Sequence, residues 1–174
     1  MTDGRTASTV LSWPRLLPQA DMALIIDFKL VGFGRAQCAV RPARKNFRLT
    51  ASYDSNALGD LIQTALAARD GSEQISFEFC GAYTCWKWVI EQKVGGRLSI
   101  QILELVWRFP NGDLEHVLVV EFSCTLKAFS QAVHDAAANV LAVHGLKGYK
   151  ELWAEQAFPT RLFNRLKARV EAIV

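Results

Sequence analysis

The sequence predicts an α+β fold in which a twisted antiparallel sheet of about six to seven strands has one face covered by three to four helices. Three observations predict it. Short runs between Leu24 and Cys124 alternate apolar and polar residues, the run from Leu58 to Leu66 switches to the three-four spacing of a helix, and everything after Leu126 keeps that helical spacing.

The elements follow in order. Leu24, Ile26, Phe28 and Leu30 alternate with Ile25, Asp27 and Lys29 as a half-buried strand, and Gly32-Phe33-Gly34 turns the chain. Ala36, Cys38 and Val40 make a second strand, and Phe47, Leu49 and Ala51 a third. Leu58, Leu61, Ile62, Ala65 and Leu66 share one helical face, with Asp54 or Ser55 as the expected N-cap and Gly71 as the stop. Ile75, Phe77 and Phe79 begin the middle strands, and Trp86, Trp88 and Ile90 return after Gly81. Gly95-Gly96 makes the next hairpin turn. Beyond it the apolar set Leu98, Ile100, Ile102 changes phase to Leu103, Leu105, Trp107, Phe109, which predicts a bulge near Ile102. Pro110-Asn111-Gly112-Asp113 turns into a last strand carrying Leu118, Val120, Phe122 and Cys124. Leu126, Phe129, Val133, Ala137, Val140 and His144 then form an amphipathic helix ending at Gly145. A short segment through Tyr149 and Trp153 follows, and Leu162, Phe163, Leu166, Val170 and Ile173 mark a terminal helix.

Composition bounds what such a chain does. With 174 residues, 51% hydrophobic and 21% charged, it reads as one globular domain that buries a core without staples. Residues 1–21 show no sustained period and read as a poorly ordered lead-in to a domain over 22–174, with Met22 a possible start. The longest apolar runs fall far short of the roughly 20 residues that cross a bilayer, so no membrane partner is expected. A net charge of +3 implies neither nucleic acid nor an anionic membrane. The four cysteines, without a secretory leader, read as reduced thiols of a cytoplasmic protein.

No catalytic constellation is recognisable. The chain lacks a G-x-S-x-G elbow and the glycine-rich phosphate loops. Cys80 and Cys85 have the wrong spacing for a zinc knuckle and read as small packing residues, although a hairpin would bring the thiols face to face. His134 and His144 lie about 15 Å apart along a helix, too far to share a metal ion. Glu104 and Glu121 read as solvent-facing sheet positions. No metal and no cofactor are expected. One basic segment stands out: Arg35, Arg41, Arg44, Lys45 and Arg48 fall within fourteen residues that hold no acid, which reads first as a solvated edge that discourages strand pairing and next as a surface for an acidic partner protein. Phe47 alternates with these cations instead of joining them, so the stacking platform of an RNA-binding sheet is missing.

Ser52-Tyr53 followed by Ala57-Leu58-Gly59-Asp60-Leu61, Trp88, Gly148-Tyr149 with Trp153, and Phe158-Pro159 together resemble a set of small bacterial α+β proteins of unassigned activity. Their middle hairpin carries an acidic residue and Pro-Gly where this chain has Cys80-Gly81-Ala82, which bears against an essential role for Cys80 or Cys85. The general form is also similar to immunity proteins that neutralise bacterial toxins. The absence of catalytic groups beside an ample core points to a non-enzymatic bacterial protein-interaction domain with an unidentified protein partner, and the resemblance adds the immunity type as one form of it. On this reading Arg41, Arg44, Lys45 and Arg48 are the candidate partner-binding residues, and nucleic acid is not a partner. The alternative is a small-molecule-binding or enzymatic domain with a pocket between sheet and helices lined by Trp86, Trp88 and Trp107.

Overall fold

The computed structural model describes residues 23–108, 112–154 and 156–172, the side chains at positions 107 and 108 excepted. The lead-in over 1–21, the start at Met22, Phe109 with the Pro110-Asn111 half of its turn, and Ile173 lie outside the described residues.

Strand β1 (Leu24–Gly32) pairs with β2 (Arg35–Pro42), and β2 with β3 (Phe47–Ser52), all antiparallel. Helix α1 (Ala57–Arg69) then carries the chain to a meander of β4 (Gln74–Cys80), β5 (Cys85–Lys93), β6 (Arg97–Arg108) and β7 (Asp113–Thr125). Helices α2 (Leu126–Leu152) and α3 (Thr160–Glu171) follow. Among the described residues the strands number seven, but they form two sheets of three and four strands where the sequence predicts one. The α1 crossover is the physical reason. No hairpin joins β3 to β4, and their ends meet through side chains without a ladder of backbone hydrogen bonds. Ser52 Oγ donates to the Cys80 carbonyl oxygen at 3.0 Å. The Gly81 backbone lies so close to Thr50 that a Cβ there would stand 2.3 Å from Thr50 Oγ1.

A single hydrophobic cluster runs through both sheets and the helices. Phe28, Cys38, Val40 and Leu49 enter it from the first sheet, and Phe79, Trp88, Ile90, Ile100 and Ile102 from the second. Leu58, Leu61 and Ile62 of α1, Phe129, Val133 and Val140 of α2, and Leu166 of α3 close it. The aromatic contacts Phe28–Trp153, Trp153–Tyr149, Tyr149–Phe158 and Phe158–Phe163 run from β1 to α3 with ring centroids 5.3–6.4 Å apart. Tyr149 and Trp153 therefore clamp the terminal helix through Phe158.

Local details refine the expectations. Asn56, not Asp54 or Ser55, stands at the N-cap of α1, and its side chain makes no capping bond. Asp54 and Ser55 are engaged in the preceding turn: Ser52 Oγ donates to Asp54 at 3.3 Å, and Ser55 Oγ donates to the Ser52 carbonyl at 3.1 Å. Thr125, which the hydrophobic pattern does not mark, caps α2 by accepting from the Ala128 N–H at 3.1 Å. Gly145 breaks α2 with φ 64° and ψ 178°, a conformation that glycine alone adopts cheaply. The bulge falls between Ile102 and Leu103, but the extra residue is Val119 on β7, and β6 pairs with β5 without interruption. The phase change in β6 arises because Leu103 and Leu105 point outward, beside Lys87 and Cys85 of β5.

Candidate functional site

The three-stranded sheet sorts its residues by the two-residue period of a strand. Ile26, Phe28, Ala36, Cys38, Val40 and Leu49 face the core. The opposite side then receives Ile25, Asp27, Lys29, Val31, Arg35, Gln37, Ala39, Arg41, Arg48 and Thr50, with Ile25 and Val31 about half exposed among the polar residues. The strand register sets their neighbours: Asp27 lies opposite Ala39 and Ala39 opposite Arg48, while Lys29 lies opposite Gln37 and Gln37 opposite Thr50. Asp27, Lys29, Gln37, Ala39, Arg41, Asn46 and Arg48 line a shallow cleft of about 160 Å³. Its cations Lys29, Arg41 and Arg48 outnumber its one acid, Asp27, which pairs with Lys29 at 2.9 Å and Arg41 at 3.8 Å.

Arg44 and Lys45 occupy the exposed β2–β3 turn beside this outward side. The Lys45 N–H bonds the Pro42 carbonyl at 3.2 Å, and Ala43 takes a positive φ of 58°. The structure therefore places Arg41 and Arg48 on one sheet side, with Arg44 and Lys45 at its rim. It adds Lys29 and Arg35, and Lys29 was missing from the sequence set. The signal was available, because hairpin pairing of the first two strands puts Lys29 on the same side as Arg41.

Trp86, Trp88 and Trp107 fare differently. Trp88 is fully buried and stacks on Phe77 with centroids 5.5 Å apart, and Trp86 is 9% exposed. Their indole Nε1 atoms are buried without a hydrogen-bond partner among the described residues, and neither residue lines the cleft on the first sheet. The Trp107 side chain lies outside the described residues, although its backbone pairs with Leu114.

The cysteines correct the expectation of four thiols. Cys80 and Cys85 face each other across the β4–β5 hairpin and form a disulfide, with Cα atoms 4.0 Å apart. Cys38 and Cys124 are buried and take no part in a disulfide. Burial, helped by the nearby Asp27 charge, pushes the Cys38 thiol up to about 12. No metal-ligating cluster of three or more groups occurs among the described residues. His134 stacks on Phe163 and contacts Asp135 at 3.0 Å, while His116 lies 3.6 Å from Glu78. Glu104 accepts from Thr84 and Glu121 accepts from Gln101, both at 3.0 Å.

A second basic group, invisible in the linear sequence, joins α1 to α3. Arg69 donates to the Arg169 carbonyl at 2.6 Å and to Ser130 Oγ at 3.3 Å, and Arg169 pairs with Asp70 at 3.0 Å. Burial and the Arg169 charge lower the Arg69 pKa. These cations serve the fold, since each holds a named internal partner.

The chain matches no family model, no curated protein and no solved structure. No helix among the described residues is long and apolar enough to cross a membrane.

Proposed function

We propose that this protein is a non-enzymatic protein-interaction domain that binds an acidic surface of a partner protein through the outward side of its three-stranded sheet. The observation that carries the reading is the gathering of Lys29, Arg35, Arg41 and Arg48 on one rigid side, with Asp27 as the lone acid lining the cleft there. Strands hold these cations at fixed spacing, and Arg44 and Lys45 extend the field at the rim. Complementary charge of this kind governs encounter rate and partner choice more than total affinity. Phe47 is turned toward the core, and the side presents no stacked aromatic row, which favours protein over nucleic acid. The immunity-like role expected from the resemblance is one form of this reading.

The test is affinity capture from the native host with the intact chain and with a variant carrying Arg41→Gln, Arg44→Gln, Lys45→Gln and Arg48→Gln. The expected result is an acidic protein recovered with the first and lost with the second, at unchanged fold by circular dichroism. Equal recovery by both, or recovery of nucleic acid alone, would contradict the proposal.

A further inference from the structure

The second sheet ends in an open edge. β7 is its last strand, thirteen residues long, and seven of the first eight are exposed or half-exposed without a neighbouring strand on that side among the described residues. Leu114 and Leu118 are 58% and 49% exposed. A long edge with such residues is a template for another strand. Beside its C-terminal half runs a cleft of about 360 Å³ lined by four consecutive β7 residues, Glu121 to Cys124. Consecutive residues of a strand point to alternate sides, so all four border one cleft only along the strand's edge. Leu24, Pro42, Ala43 and Lys45 form the opposite wall, leaving a slot beside exposed backbone.

We infer that β7 pairs antiparallel with β7 of a second copy of this chain, joining the two four-stranded sheets across a two-fold axis between Leu118 and Val119. The six central residues, His116 to Glu121, are self-complementary about that point, whereas Glu115 falls opposite Phe122 and Leu114 opposite Ser123. Rotation places Leu118 opposite Val119, Val117 opposite Val120, and His116 opposite Glu121, the latter pair twice. The bulge makes this register possible. Directly opposed residues must share a side of the joined sheet, and Val119, the extra residue, reverses the alternation between the two halves of β7. His116 pairs with the outward Leu105 of β6 and Glu121 with Gln101, so both point outward. Val117 and Val120 share the inner side. The same rotation brings Asp113 of the second copy opposite Cys124, into the slot that carries Lys45. The two His116–Glu121 pairs, added to the intrachain approach of His116 to Glu78 at 3.6 Å and the Gln101 bond to Glu121, together with the matched sides, argue for a second copy. An isologous contact of this type closes at the dimer and leaves no further open β7 edge.

Sedimentation equilibrium of the full chain across a concentration series tests this, together with His116→Glu and the double variant His116→Glu/Glu121→Lys. Both positions are exposed and lie outside the proposed acidic-partner set, so failure here leaves that reading intact, and the reverse holds too. The account expects a reversible dimer, weakened at least about tenfold by His116→Glu through two new acid–acid contacts and recovered in the double variant. A wild-type chain that stays monomeric to about 1 mM would overturn the inference, as would a dimer indifferent to His116→Glu. Dimerisation that appears only after residues 1–22 are deleted would overturn it as well, showing that the chain's own N-terminal segment takes the edge.

Discussion

At the scale of single residues, Cys38 shows how burial becomes a pH dependence. It sits at the centre of β2 with no exposed surface, and its pKa rises from an ordinary 9.0 to about 12. The folded protein therefore keeps a proton that the unfolded chain releases. This contribution is fully present below pH 9.0 and is lost as pH rises toward about 12. Within that window stability should fall by about 1.4 kcal/mol per pH unit for this group. Tyr149, whose pKa burial also raises, adds a second loss at alkaline pH. Urea titrations at several alkaline pH values should show the slope of stability against pH shrink by about one proton in Cys38→Ala. An unchanged slope would show that the thiol does not remain protonated in the folded state. Cys38 was legible in the sequence as an inward strand position. Its proximity to Asp27 was not, because that depends on strand pairing.

Among the elements, the β4–β5 hairpin departs most from the sequence reading. Alternation located both strands, and the turn at Gly81 was visible. Thiol state was not, because spacing alone does not tell a reduced cross-strand pair from an oxidised one. Once the register puts Cys80 opposite Cys85, the disulfide follows from adjacency. Half of the ground for expecting a cytoplasmic protein, four reduced thiols, is removed with it. The bridge closes a loop already held by the Gly81 N–H bond to the Thr84 carbonyl at 2.7 Å and by the ladder behind it. Replacing Cys80 and Cys85 together by Ser should therefore cost no more than about 2 kcal/mol, the limit for so short a loop. Thiol titration of the denatured, unreduced chain should count two groups, Cys38 and Cys124, and four after reduction. Four groups without reduction would remove the bridge from the account. Elements with strong periods were read correctly for a physical reason: burying one side fixes both strand alternation and the amphipathic faces of α1, α2 and α3. The α1 cap was misread because Asp54 and Ser55 both satisfy local turn bonds that compete with capping.

For the whole molecule, the division into two sheets is what the sequence did not disclose. Alternation reports that a strand has a buried side, but it is silent on which edges pair, and β3 and β4 carry patterns that would suit one continuous sheet. The consequence for function is direct. The first sheet keeps its own outward side, along which Lys29, Arg35, Arg41 and Arg48 lie, while the second leaves β7 as a separate edge. The acidic-partner reading and the second-copy reading thus occupy different surfaces, meeting only near Lys45. Trp86 and Trp88 were legible as inward residues, and the core cluster around Trp88, Phe77 and Phe79 explains their alternation without a ligand. On the proposed reading, the outward side of the first sheet selects acidic polypeptide by charge. Fluorescence anisotropy of labelled polyglutamate and of a single-stranded oligonucleotide, titrated with the protein at about 0.15 M salt, measures it most directly. The account predicts saturable polyglutamate binding that weakens about tenfold in the Arg41→Gln/Arg44→Gln/Lys45→Gln/Arg48→Gln variant, with no submicromolar binding of the oligonucleotide. Polyglutamate binding that the four substitutions leave unchanged, or oligonucleotide binding tighter than the polypeptide's, would contradict it.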